Sequence, residues 1–263
     1  MTASLWIVIF ALLGLAVGSF LNVCIDRLPT GKSIVRLPSH CNSCDRTLRP
    51  PDLVPLFSYL WLRGRCRYCS ARIPIRLPIV ELATCLIFAF LTWHSFQAWD
   101  GLGLELAIAI VYACLFLVIF VIDLEEGLVL NSVVYPGMAL AFVFSFFWPW
   151  PEIIWPDIGV LSALLGGAVG FGFMLLPYII WRGGMGGGDV MLAGLIGMVA
   201  GFPLVFVALL LGILSGGLVA IFLLILRLRT RKDPIPFGPF LAAAAVVALL
   251  WGQEILYWYT GLL

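Results

Sequence analysis

Charged and polar positions in this chain fall between long apolar stretches rather than within them. The apolar stretches cover about 4–23, 77–97, 104–122, 131–149, 158–181, 190–202, 203–226 and 236–259. A bilayer span needs roughly 20 consecutive apolar residues. The pattern therefore predicts an all-α, polytopic membrane helix bundle of about eight transmembrane helices. The sixth stretch is short, and the break at Phe202-Pro203 is its weakest boundary; a re-entrant segment is the alternative. One extended polar segment interrupts the pattern. The chain thus divides into a first transmembrane helix (1–23), an insert (24–76) and a transmembrane core (77–263).

Charge adds an orientation. Ten of the fifteen Lys and Arg lie between Arg27 and Arg76; the others are Arg182, Arg227, Arg229, Arg231 and Lys232. Basic loops stay on the cytoplasmic side. With eight spans and the amino terminus outside, every one of these cations faces the cytoplasm. The short outer loops then carry only acids, Asp100 with Glu105 and Glu152 with Asp157. Fusing spans six and seven would move the Arg227–Lys232 cluster outside. The first apolar run lacks a preceding basic region, so it is expected to be a retained helix rather than a cleaved signal peptide.

Composition excludes a soluble domain. The chain is 63% hydrophobic and 11% charged, with mean hydropathy +1.12; about a quarter of a soluble domain is charged. A net charge of +1 gives no reason to expect nucleic acid as a partner, since the basic residues act first as orientation signals.

Two acids carry the candidate chemistry. Asp123 closes the apolar run from Ile108 to Ile122, and Asp189 follows Gly183, Gly184, Gly186, Gly187 and Gly188 and opens another. Ionisable groups at such depth are costly and mark functional sites. The predicted topology puts both at the cytoplasmic boundary. Two carboxyls that meet can divide the work of an aspartyl protease, one taking a proton from water and one polarising a carbonyl. Asp189 could instead merely N-cap its helix, but a cap does not ask for five glycines. That density of glycine permits close approach of another chain, such as an extended peptide. Asp123 could be a simple boundary charge. An acid at a helix carboxyl end opposes the macrodipole, so something else must favour it there. Glu125 and Glu126 are expected to be solvated.

The insert holds Cys41-Asn-Ser-Cys44 and Cys66-Arg-Tyr-Cys69. Paired CxxC knuckles suit tetrahedral Zn²⁺, and a reducing compartment disfavours disulfides. Four thiolates, Cys41, Cys44, Cys66 and Cys69, would close the coordination shell, so the metal would be structural. A redox dithiol pair, or free thiols, is the alternative. Cys24, Cys85 and Cys114 are expected to pack, His40 to be dispensable and His94 to be chemically silent. The insert mixes Arg with Pro and apolar residues, which fits a subdomain lying on the membrane with its cations near anionic lipid.

Taken together, these motifs resemble the type IV prepilin peptidases, membrane aspartyl proteases that are also N-methyltransferases. The resemblance covers nearly the whole chain. It is carried by Gly18-Ser-Phe-Leu-Asn-Val23 with Arg27-Leu28-Pro29, the two CxxC pairs, Asp52 with Pro55 and Ser58-Tyr59, and Leu62-Arg63-Gly64-Arg65-Cys66. Pro78-Ile-Val-Glu81, Ile122-Asp123-Leu124, Gly184-Met-Gly-Gly-Gly-Asp189-Val190 and Pro236-Phe237-Gly238-Pro239 complete it. Gly186-x-Gly188-Asp189 is also similar to the signature of the wider GxGD intramembrane proteases.

The resemblance implies a bacterial inner-membrane enzyme with its active site facing the cytoplasm. Asp123 and Asp189 would be the catalytic dyad, and prepilins or pseudopilins the substrates. S-adenosylmethionine would be the methyl donor, with Asn22, Arg27 and Glu81 in family-like stretches as candidates to bind it. No glycine-rich nucleotide fingerprint supports that cofactor independently. The sequence departs from the family at Met191, where Lys is frequent, at Pro50 and Pro51, and at Val129-Leu130-Asn131. The alternatives are a peptidase without methyl transfer, a pilus-assembly scaffold, and an ion-coupled transporter. A transporter predicts midplane carboxylates and repeats; both aspartates map to one boundary, and no repeat is visible.

Overall fold

The computed structural model describes residues 3–35, 38–99, 101–147, 159–180, 186–228, 230 and 235–261. Among them it is all-helical. The helices are α1 Ala3–Arg27, α2 Phe57–Trp61, α3 Arg76–Ala98, α4 Leu104–Glu126, α5 Asn131–Phe144, α6 Gly159–Ile180, α7 Gly187–Ala200, α8 Leu204–Ile225 and α9 Gly238–Thr260. No strand occurs among the described residues, only two isolated antiparallel bridges, His40 with Thr47 and Arg65 with Arg72.

All eight expected apolar stretches contain a helix, but only six of those helices (α1, α3, α4, α6, α8 and α9) are long and apolar enough to cross a membrane. Helices α5 and α7 have 14 residues each. At 1.5 Å per residue each is about 21 Å long, short of a hydrocarbon core of about 30 Å. A short sixth stretch was expected; a short fourth was not. Its helix ends at Phe144, and 148–158 lie outside the described residues, as do Asp100, Arg182 and the Arg229, Arg231 and Lys232 cations. The break between the sixth and seventh stretches is present, with α7 ending before Gly201 (φ 72°) and α8 starting at Leu204.

The chain packs as two compact units, 1–110 and 111–263. In the first, α1 lies on α3 through small residues. A Cβ on Gly14 would stand 2.8 Å from the Thr84 carbonyl oxygen, and one on Gly18 would stand 2.8 Å from the Glu81 Cα. In the second, α6 and α7 approach in the same way, with Gly166 and Gly197 backbone to backbone. Lipid is as apolar as Leu, so membrane helices gain their contact from such close backbone packing rather than from hydrophobic exclusion.

Candidate active site

Asp123 occupies the last turn of α4. Gly127, at φ 64°, ends that helix and donates its N–H to the Asp123 carbonyl at 2.9 Å, a left-handed glycine stop. The Asp123 residue is 4% exposed, and its Oδ2 has no hydrogen-bond partner. The amino terminus of α9 comes up against it. The Gly238 backbone N–H faces the carboxyl, and a Cβ at Gly238 would lie 2.6 Å from Oδ2. This supplies the favourable term that an acid at a helix carboxyl end lacks, because a helix amino terminus carries partial positive charge. The Pro236-Phe237-Gly238-Pro239 stretch is therefore part of the site.

Asp189 lies in the first turn of α7. The simple cap reading is corrected here: Gly186 is the N-cap residue and no side chain caps it. Asp189 sits three positions further on, its N–H donating to the Gly186 carbonyl at 3.2 Å and its carboxyl facing the Gly186 backbone. Gly188 shows why one of these glycines is needed. A Cβ there would fall 2.8 Å from Val129 Cβ and 3.0 Å from the Val129 carbonyl oxygen. The α4–α5 connection thus presses on the start of α7, and only glycine fits between them. The outcome is that Asp123 and Asp189 come near enough to feel each other's charge. Gly183, Gly184 and Met185 lie outside the described residues.

The insert is organised around its cysteines. The Sγ atoms of Cys41, Cys44, Cys66 and Cys69 all lie within 4.8 Å of one another. The two knuckles fold alike. The Cys41 N–H donates to Arg46 and the Asp45 N–H to Cys41; the Cys66 N–H donates to Ala71 and the Ser70 N–H to Cys66. Asp45 and Ser70, at φ 52° and 57°, turn each knuckle back on itself. The Cys41 and Cys69 sulfurs are 3.8 Å apart, the edge of a tetrahedron with metal–sulfur bonds of about 2.3 Å. Backbone N–H groups, that of Ser43 first, bring the Cys41 thiol down to about 6. At Cys69 the Ala71 N–H draws the thiol down, but desolvation and its hydrogen-bonded thiol neighbours together outweigh it and push the thiol up to about 12. A bound cation would remove that conflict.

Around the knuckles polar groups are paired. The Asp52 side chain, 3% exposed, accepts from Arg67 Nε at 2.6 Å, the Tyr68 hydroxyl at 3.2 Å and the Arg49 N–H at 3.2 Å. The Arg46 guanidinium lies 4.5 Å over the Tyr68 ring. His40 is not part of the cluster; its Nδ1 lies 3.3 Å from the Pro38 carbonyl. Cys24 is buried and Cys85 and Cys114 partly so, and His94 packs between Phe90 and Trp99.

The three proposed cofactor residues lie on α1 and α3. Glu81 Oε2 accepts from the Leu56 N–H at 2.7 Å, and Ser19 also hydrogen-bonds its carboxyl. Asn22 Nδ2 donates to the Leu77 carbonyl at 3.0 Å, while its buried Oδ1 has no partner. Arg27 donates to the carbonyls of Ser33, at 3.0 Å, and Pro38, at 3.4 Å, so it fastens the start of the insert to α1.

Two family models match separate parts of the chain. Residues 12–95 match the Bacterial Peptidase A24 N-terminal domain, and residues 110–221 match the Type IV leader peptidase family. A prepilin leader peptidase/N-methyltransferase of Bacillus subtilis is 32% identical over 254 residues, 95% of this chain and 96% of that protein. The chain belongs to the type IV leader peptidase family. The identically named protein of Pseudomonas aeruginosa is 34% identical over 278 residues, covering 93% of this chain and 90% of that one. That of Pseudomonas putida is 32% identical, covering 97% and 94%. No solved structure matches the chain. As a leader peptidase family member with six bilayer-length apolar helices, it is an integral membrane protein.

Proposed function

We propose that this leader peptidase family member cleaves the short basic leader from prepilins or pseudopilins and then methylates the new amino terminus. The observation that carries the first activity is the convergence of Asp123 and Asp189 at the ends of α4 and α7, with Oδ2 of Asp123 unpaired. Buried polar atoms are almost always paired, so an unpaired carboxyl oxygen within electrostatic reach of a second carboxyl is a group held ready for a ligand. One carboxylate takes a proton from water. The resulting hydroxide attacks the scissile carbonyl, and the other carboxyl, protonated, donates a hydrogen bond to the developing oxyanion. The proton then passes to the leaving amine. The roles belong to the pair, because coupled carboxyls titrate together.

Zn²⁺ is the metal that best fits four thiol sulfurs within 4.8 Å of one another, and its role is to fold the insert. For methyl transfer, S-adenosylmethionine supplies a methyl group on a sulfonium. Glu81 offers a carboxyl and Asn22 Oδ1 an unused acceptor to the cationic parts of such a molecule. Arg27 holds the insert beside them. The Arg-rich insert and the basic inner loops favour an inner-membrane location with both activities facing the cytoplasm and the insert against lipid.

The test is mass spectrometry of a prepilin incubated with purified Asp123→Asn and Asp189→Asn variants. Retained helicity with no leader loss supports the dyad; cleavage at the wild-type rate by either variant removes it.

A further inference from the structure

Helix α2 carries a feature that neither proposed activity uses. Phe57, Leu60 and Trp61 sit at positions i, i+3 and i+4, one face of a helical turn, and are 64%, 65% and 84% exposed. Tyr59 points elsewhere, its ring against Gly64. A water-facing helix that exposes three large apolar side chains would be an interaction site.

Its depth identifies the occupant. The residue just before α2, Leu56, gives its N–H to Glu81 at 2.7 Å. Glu81 is not at the end of α3 but five residues into it. With α3 centred in a bilayer, Glu81 lies about 9 Å from the midplane, inside a hydrocarbon half-thickness of about 15 Å. The backbone bond thus anchors the start of α2 within the outer part of the hydrocarbon. Ile75, just before α3, and Ile79, Leu82 and Leu86 on it form an exposed stripe at helical spacing, the face a span turns to lipid. Exposed Arg63 and Arg65 lie two and four residues after Trp61, and residues 24–76 hold ten cations against the acids Asp26, Asp45 and Asp52. Apolar side chains with Trp, flanked by Arg, at the boundary depth are the composition of a membrane-interface anchor.

We infer that α2 is a lipid anchor: Phe57, Leu60 and Trp61 insert into the interface of the leaflet that Glu81 faces, and Arg63 and Arg65 meet anionic headgroups. The anchor fixes the insert's height against α1 and α3. The inference rests on α3 spanning a bilayer and is independent of the peptidase reading.

It is tested by placing the photo-crosslinker p-benzoylphenylalanine singly at Phe57, Trp61, Ile79 and Ser70 of the full chain. The chain is reconstituted in vesicles of phosphatidylethanolamine and phosphatidylglycerol, irradiated and weighed intact. Lipid adducts at Phe57, Trp61 and Ile79, and none at Ser70, are expected. Lipid at Ile79 but not at Phe57 or Trp61 overturns the anchor while leaving the span intact. Crosslinks from Trp61 to a second protein chain overturn it in favour of a protein partner. No lipid at Ile79 removes the span and the anchor with it, and leaves leader cleavage, assayed separately, untouched.

Discussion

The insert and the aspartate site treat polar groups in opposite ways. In the insert, Asp52 has three hydrogen bonds and Arg27 holds two backbone carbonyls. In the aspartate site, glycine backbone crowds around Asp123 and Asp189, and Oδ2 of Asp123 is left without a partner. Saturated polar groups hold a shape; an unsaturated one keeps its capacity for a ligand. The contrast separates structural carboxyls from reactive ones among residues that look alike in sequence. Among the described residues of the first unit Asn22 is the exception, with one buried acceptor unused, and for that reason it is the better cofactor candidate than Arg27.

The largest break in this comparison comes from the dyad. Asp123→Asn or Asp189→Asn is expected to lower leader cleavage by about 10³-fold or more, as loss of a general acid or base does. Methylation of an already cleaved substrate should persist, which a combined peptidase and methyl-transfer assay reads directly. Next is Gly238→Ala, whose Cβ would meet Oδ2 at 2.6 Å. Displacing the carboxyl by about 1 Å should cost about 10²-fold in kcat with helicity unchanged.

The insert should respond in the reverse sense. Cys41→Ser, or removal of the metal by a chelator, should open the knuckles to protease and abolish methyl transfer while sparing cleavage. Glu81→Gln should raise the KM for S-adenosylmethionine about tenfold, the scale of a hydrogen bond to a charged group. The smallest effect is at Asp52. Burial disfavours its charge, but the bonds from Arg67, Arg49 and Tyr68 more than offset this and hold its carboxyl below the usual range. That stability is therefore present above the unfolded value of about 3.9 and lost as pH falls through the lower folded value. Asp52→Asn should speed amide exchange in the insert by an amount corresponding to about 1–2 kcal/mol at neutral pH, with the difference vanishing in strong acid.

Much of this was legible in the sequence. Long apolar runs named the helices, because a bilayer demands length as well as hydrophobicity. CxxC spacing named the thiol cluster, because a knuckle is a local structure. What escaped was non-local. Helix α5 stops at Phe144 although apolar residues continue, so hydropathy alone overran it. Gly238 is far from Asp123 in sequence, and only the packing of α9 on the end of α4 shows that it shapes the acid's surroundings. Gly188 is similar: five glycines signalled a close approach, but not that Val129 makes it. The exposed face of α2 had no periodic signal, since five residues are too few to show one.

The most direct test of the central claim is the intact mass of a prepilin after incubation with wild-type protein or with Asp123→Asn, each with and without S-adenosylmethionine. The account predicts loss of the leader by the wild type alone, with a methyl group added only when the cofactor is present. Leader loss at an undiminished rate in Asp123→Asn, or none in the folded wild type, would contradict it.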